Sequence, residues 1–281
     1  MPPIADITRS FRRLAFARPL FSISIMIAIA MAVSAGYYVN EVRMARDDTS
    51  RLVAQAWQHY GRQITLRDLT FDRLNLLLAI EDPAFFKHHG VDLYTPGAGM
   101  TTISQGLVKL LYFPDGFHQG IAKIRQTLIA QYAFNAHISK NEQLELLLNI
   151  GYLGHSNGVE IRGFANAAHA YFGKEFVALS DSEFKLLVAM LAAPNHFVPG
   201  SPFHAERMQR INAYLSGAYR PMCVLDVEYD GKTRGTVAEE ALMIVLRIIT
   251  DARPQTHSVA ASAEAQPFIS SDLSRQAAPV R

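Results

Sequence analysis

Leu74, Leu77, Leu78 and Glu81 fall at i, i+3, i+4 and i+7, which is one stripe along one face of a helix. The stripe is apolar until its last residue, a carboxylate. Burial among apolar side chains raises a carboxylate pKa. A raised pKa is what a general base or acid needs to work near neutral pH. A helix-end carboxylate that simply turns to water fits the same spacing, so position alone leaves both readings open. Asp82 follows at once, and Pro83 turns the chain.

The run 81–90 holds two acids beside His88 and His89. Adjacent histidines project in different directions, and no His-x-x-x-His spacing accompanies them. The run therefore does not read as a zinc site. Downstream, Thr102, Gln105 and Lys109 form a polar stripe at i, i+3 and i+7, opposite Ile103, Leu107, Leu110 and Leu111. The stripe offers a hydroxyl, an amide and a cation to one ligand, or it is a solvated helix face. Lys123, Gln126 and Ala130 share another face. Lys109 and Lys123 together suit a phosphate or pyrophosphate as compact point charges; two unrelated surface lysines are the alternative.

These residues need elements to hold them. Residues 66–214 read as a helix-rich region. Ser139-Lys140-Asn141-Glu142 and Ser180-Asp181-Ser182-Glu183 are capping boxes ahead of apolar runs, and Pro194 is expected to end the second helix. Gly151, Gly154, Gly158, Gly163 and Gly173 punctuate the stretch between them. Past Tyr219, residues 224–229 are expected to form a short strand with Asp230-Gly231 as its turn. Residues 237–250 have helical spacing, and the Ser-, Ala-, Gln- and Pro-rich end predicts disorder. No repeat and no sustained strand alternation are present, so the core should be mainly α.

Composition narrows the function classes. Of the 281 residues 19% are charged, and the net charge of +2 is too small to argue for a nucleic-acid partner. The single cysteine, Cys223, excludes an intramolecular disulfide and a four-cysteine zinc site. No cation cluster or base marks it as reactive. Residues 19–40 carry no charged side chain and are as long as a bilayer core is thick. They read as a membrane anchor, with a cleaved signal peptide ending near Val33-Ser34-Ala35 as the alternative. Arg9, Arg12, Arg13 and Arg18 before the span bias the N-terminus toward the cytoplasm. Residues after about 41 would then face the periplasm or exterior.

The motifs, taken in order, resemble glycosyltransferase family 51, the peptidoglycan glycosyltransferases. The first family motif is Glu-Asp-x-x-Phe-x-x-His-x-Gly, and Glu81, Asp82, Phe85, His88 and Gly90 fit it. In the second, Gly99, Thr102, Ile103, Gln105, Leu107, Val108 and Lys109 are in place, while Thr101, Ser104, Gly106 and Leu110 depart. In the third, Lys123 and Ala130 match, but Ala122 replaces an arginine and Gln126 a glutamate. The helix 139–149, the element Ala167, Ala168, Tyr171, Phe172, Gly173, Lys174, and Leu179, Glu183 and Ala193-Pro194-Asn195 continue the pattern. The resemblance covers about residues 69–207, roughly half the chain.

The resemblance implies a mainly α, lysozyme-like domain preceded by one transmembrane helix, with Tyr94, Leu110, Leu111, Tyr112, Phe113 and Phe117 in a membrane-facing jaw. It implies lipid II as substrate, Glu81 as general base, and Asp82, His88, Thr102, Gln105, Lys109, Lys123 and Gln126 as substrate-binding residues. A divalent cation, Mg or Mn, assists in this family. The expected partners are lipid II, the nascent glycan strand, the membrane and other envelope proteins. The expected layout is a basic N-terminus (1–18), an anchor (19–40), a link (41–65), the glycosyltransferase-like domain (66–219), an extension (220–252) and a tail (253–281). No Ser-x-x-Lys with Lys-Thr-Gly follows the domain, so a monofunctional protein is expected. Ala122 and Gln126 also suit a non-catalytic, lipid-II-binding scaffold. A lytic enzyme ranks third, because it needs two carboxylates flanking the bond and Glu81 and Asp82 point apart.

Overall fold

The computed structural model describes residues 4–117, 120–232 and 235–254, with side chains described from Phe21 onward. The expected tail therefore lies almost wholly outside the described residues. The chain divides into two units, with the boundary between Met44 and Ala45.

The first unit is the leading part of a long helix, α1 (Ile4–Tyr60). Phe21, Met26, Met31 and Val39 are all more than 60% exposed, so this stretch has no protein core around it. It is the one span among the described residues long and apolar enough to cross a membrane, by length and composition.

The second unit begins with the rest of α1, where Ala45, Val53 and Ala56 are buried. Its other helices are α2 (Phe71–Glu81), α3 (Ile103–Tyr112), α4 (Ile121–Ile129), the single turn α5 (Asn135–His137), α6 (Lys140–Ile150), α7 (Phe164–Phe172), α8 (Asp181–Met190), α9 (Pro202–Leu215) and α10 (Val237–Ile249). A π-helical turn, Ala130–Phe134, joins α4 to α5. The only sheet among the described residues is an antiparallel hairpin, β1 (Tyr152–Ser156) with β2 (Val159–Arg162). The domain is mainly α, as expected.

Local chemistry sets the helix boundaries. The Thr70 hydroxyl accepts the Arg73 N–H at the start of α2, and Ser139 accepts Glu142 N–H at the start of α6. Thr102, Ser180 and Thr236 open α3, α8 and α10 with reciprocal capping boxes. Gly173 closes α7 in the left-handed conformation. The core centres on the fully buried Leu77, Leu107, Leu144, Leu148, Phe164, Phe184 and Leu187, drawn from α2, α3, α6, α7 and α8. At roughly 1.5–3 kcal/mol for each large apolar side chain buried, this face-to-face packing dominates the stability of the unit.

Asn149 of α6 fastens the chain that follows α1. Its Oδ1 accepts Gln63 and Ile64 N–H at 2.8 and 3.0 Å, while its Nδ2 donates to the Ile64 and Glu145 carbonyls. Trp57 Nε1 and Arg62 add bonds to Glu142, and Arg62 also reaches Glu145. Residues 45–65 are thus part of the domain's packing.

Two expectations need correction. Residues 224–229 form no strand; they wind into consecutive turns around the buried Asp226, whose carboxylate accepts the Met222 and Asp230 N–H groups from either side and so curls the segment around itself. The strands lie instead at 152–162, where Asn157 and Gly158 take positive φ at the hairpin tip. Helix α8 ends at Met190, before Pro194, because the chain tightens into turns from Leu191 onward.

Candidate active site

Helix α2 buries Leu74, Leu77, Leu78 and Ile80 and delivers Glu81 at its last position. Burial pushes the Glu81 carboxyl up to about 7; the Arg207 guanidinium opposes the rise and the Asp82 carboxylate adds to it. No hydrogen bond contributes to its charge state.

Asp82 has the opposite surroundings. It is 1% exposed. Its Oδ1 accepts His88 Nε2–H at 2.9 Å, and its Oδ2 accepts the Ile103 N–H at 3.0 Å. The Gly90 N–H donates to His88 Nδ1 at 3.0 Å, which fixes the imidazole tautomer with its hydrogen on Nε2. Asp82 thus ties the end of α2 to the first turn of α3, with His88 as a second strut. The two adjacent acids divide cleanly: one is saturated with donors, the other is left as a free proton acceptor.

Gly90 explains its own place in the first motif. Its φ is +89°, and a Cβ there would sit 2.5 Å from the Ala130 carbonyl oxygen in the π-helical turn. The first motif is therefore pressed against the end of α4.

Helices α3 and α4 are joined by side chains from the second and third motifs. Thr102 Oγ1 donates to the Gly90 carbonyl at 2.7 Å. Gln105 Oε1 accepts the Thr102 N–H, and its Nε2 donates to Thr127 Oγ1 at 2.8 Å. Gln126 Nε2 donates to the Gln105 carbonyl at 2.7 Å. Thr102, Gln105 and Gln126 are all buried, so of the stripe expected on α3 only Lys109 is exposed. The Gln126 Oε1 is buried with no partner, an open acceptor.

Lys123 is 7% exposed, and its Nζ donates to Thr101 Oγ1 at 2.9 Å. Burial pulls its ammonium down to about 7, and the Lys109 charge adds to the depression. The buried Lys123 ammonium, with the exposed Lys109 charge acting on it, is a place where an anion such as phosphate would be favoured. The donor set does not suit a protein-held Mg or Mn. Gln126 supplies a neutral amide where a carboxylate would draw a cation, and Asp82 is committed to His88 and Ile103. Among the described residues no three His, Cys, Asp or Glu side chains gather as a ligand group.

The aromatic residues expected in a jaw fall into two groups. Phe113 and Phe117 pack edge to face at 5.2 Å, with Arg125 over Phe113 and Lys109 over Phe117. Tyr112 binds Thr49 Oγ1 at 2.6 Å. Tyr94, by contrast, lies beneath Arg247 of α10 at 4.5 Å and is covered by this chain's own extension.

Sequence reasoning missed Arg207. It sits on α9, 2% exposed, its guanidinium 5.6 Å from each of the Phe197 and Tyr229 rings. An isolated arginine within a polar helix carries no pattern, so only the tertiary packing reveals it.

The comparisons with known proteins bear on the family. The family described as Transglycosylase matches residues 49–218. Penicillin-binding protein 1A of Streptococcus oralis is 29% identical over 185 residues, covering 60% of this chain and 28% of that protein. Penicillin-binding protein 1B of Escherichia coli (strain K12) is 33% identical over 141 residues, covering 45% and 16%. Penicillin-binding protein 1F of Bacillus subtilis (strain 168) is 26% identical over 183 residues, covering 58% and 25%. The chain thus spans less than a third of the length of these relatives. The match over more than half of the chain, with its ordered motifs on the helices just described, makes this chain a member of the transglycosylase family.

Proposed function

We propose that the chain is a peptidoglycan glycosyltransferase that polymerises lipid II. The acceptor sugar hydroxyl loses its proton to the Glu81 carboxylate. Its oxygen bonds to the donor's anomeric carbon with inversion, and the bond from that carbon to the pyrophosphate oxygen breaks. The electron pair leaves with the undecaprenyl pyrophosphate. Lys109 and Lys123 hold the negative charge that builds on the leaving group. Preorganised stabilisation of this kind is worth about 3–4 kcal/mol per donor where it has been dissected. Asp82, His88, Thr102, Gln105 and Gln126 act by holding α2, α3 and α4 in register around the substrate. Helix α1 anchors the protein in the cytoplasmic membrane, and the domain faces the periplasm or exterior.

The observation that carries this reading is the contrast between Glu81 and Asp82. Only Glu81 combines an apolar setting, a carboxyl raised to about 7 and freedom from hydrogen-bond donors. The scaffold reading draws on one observation, the neutral Gln126 amide tied to the Gln105 carbonyl. Labelled lipid II in detergent separates the two. Polymer from the wild type and none from Glu81→Gln supports the transferase; lipid II bound by both without polymer supports the scaffold. Shortened chains from pre-made glycan would replace both with the lytic reading.

A further inference from the structure

Residues 91–101 carry the chain from the end of the first motif, at Gly90, to the start of α3. The loop's own bonds are local. Asp92 Oδ1 accepts the Tyr94 and Thr95 N–H groups at 2.9 and 3.1 Å, and the Ala98 N–H donates to the Thr95 carbonyl at 3.2 Å. Turns of this kind open easily unless something outside them holds the segment. What holds this one lies past residue 218, where the family match ends.

Residues 219–231 form a strap built around Asp226, which is fully buried. The Asp226 carboxylate accepts the Tyr219 hydroxyl, the Met222 N–H at 2.9 Å and the Asp230 N–H at 3.2 Å. The strap is fixed to α9, where Arg207 Nη1 donates to the Val227 carbonyl at 2.6 Å and Tyr214 stacks on Tyr229 at 4.4 Å. From there it grips the loop. Gly97 and Gly99 donate their N–H groups to the Cys223 and Val224 carbonyls at 3.0 and 2.8 Å. Both glycines take positive φ, and a Cβ at Gly97 or Gly99 would stand 2.7 Å from Pro221 or 2.8 Å from Val227. Helix α10 holds the same loop a few residues earlier. Arg247 Nη2 donates to the Leu93 carbonyl at 2.7 Å, and its guanidinium lies 4.5 Å from the centre of the Tyr94 ring. Just past α10 the Asp251 N–H donates to Gln131 Oε1 at 3.1 Å, which moors that end of the extension. Two residues on from Gly99 stands Thr101, whose Oγ1 accepts the buried Lys123 Nζ at 2.9 Å.

We propose that the strap and α10 together clamp the loop 91–101, so that Thr101 stands where it holds the Lys123 ammonium, with Asp226 and Arg247 as the positioning residues. The clamp is a part of the site that the family-matched segment does not contain. A lysine has a long, flexible stem, and a fixed acceptor selects one of its many rotamers. With the clamp released the acceptor wanders, and the ammonium no longer waits in one place for an anion. The proposal rests on the glycosyltransferase reading for what Lys123 does in catalysis, while the clamp itself stands on its own hydrogen bonds.

The test follows amide hydrogen exchange and lipid II kinetics in the full-length chain in detergent. Arg247→Met keeps the bulk of the side chain and removes its donors. It should speed exchange about tenfold at Gly97 and Gly99, and also at Thr102 and Ile103, whose N–H groups bond to Gln105 and Asp82, while α8 stays unchanged. Asp226→Asn should do the same from the strap's side. Each variant should lower kcat/KM with labelled lipid II about tenfold. Thr101→Val, which removes the acceptor itself, should cost as much. Arg247→Met added to Thr101→Val should cost nothing more, since both act through one contact. Additive losses, fast exchange with an unmoved rate, or fast exchange confined to Leu93 and Tyr94 would each overturn the clamp. If Asp226→Asn does not fold, Arg247→Met, at a partly exposed position, decides. Absence of polymer from the wild type would overturn the glycosyltransferase reading alone, and the exchange data, which need no turnover, would then decide the clamp.

Discussion

The pH profile should be narrow, and narrow for two reasons at once. Glu81 must be ionised to accept a proton, and its carboxyl stands at about 7. Lys123 must be protonated to hold a pyrophosphate, and its ammonium also stands at about 7. In free enzyme the fraction with both groups correct peaks at about one quarter near pH 7, falls about threefold over the first unit on either side and approaches about tenfold per unit beyond. The profile of kcat/KM, which reports free enzyme, should be a tight bell. The profile of kcat should differ on one side only. Bound pyrophosphate favours the Lys123 ammonium, so the alkaline limb should retreat upward while the acid limb, set by Glu81, stays. Lys123→Arg supplies the control, because a guanidinium does not deprotonate in this range. That variant should lose the alkaline limb of kcat/KM and keep the acid one. Initial rates with labelled lipid II between pH 5.5 and 9 measure all of this. A kcat/KM that is flat from pH 6 to 8, or an alkaline limb that survives Lys123→Arg, would refute the assignment of these two groups.

Three further outcomes are expected. Because Glu81 is raised from 4.5 to about 7 on folding, its burial costs nothing below pH 4.5 and most above pH 7, at most about 3 kcal/mol. Glu81→Gln should therefore raise the melting temperature at pH 8 and leave it nearly unchanged at pH 4.5, as calorimetry can show. Wild-type polymerisation should survive chelation of divalent ions within about twofold, whereas Gln126→Glu should gain a Mg response, since a carboxylate there can draw a cation beside the pyrophosphate. Gly90→Ala should lose about 3 kcal/mol or more, from positive φ and from the clash with the Ala130 carbonyl together, read by denaturant unfolding.

Much of the helical frame was legible because its signals are local. The Ser139 and Ser180 caps and the Leu74–Leu77–Leu78 stripe each lie within a turn or two of chain, and each appears in the fold where the spacing puts it. The site was legible only as residue types. Spacing brings Thr102, Gln105 and Lys109 to one side of a helix, but it cannot say that Thr127 and the Gly90 carbonyl will meet the first two and leave Lys109 outside. The strand expected at 224–229 failed for a related reason. Alternating Val224, Asp226 and Glu228 look like a strand locally, yet Asp226 is fully buried and gathers three donors from its own neighbourhood. Arg207 carried no signal at all, since its surroundings come from residues ten to more than a hundred positions away.

The packing of residues 45–65 bears on where this protein can be cut. A division at residue 65, which composition alone invites, would strip Ala45, Val53 and Ala56 from the core and leave Asn149 with three of its four partners gone. It would also release Tyr112 from Thr49. A soluble fragment meant for crystallisation or inhibitor screening should begin at or just before Ala45. It should run past Tyr229, well beyond the end of the family match, so that both edges of the folding unit travel with it.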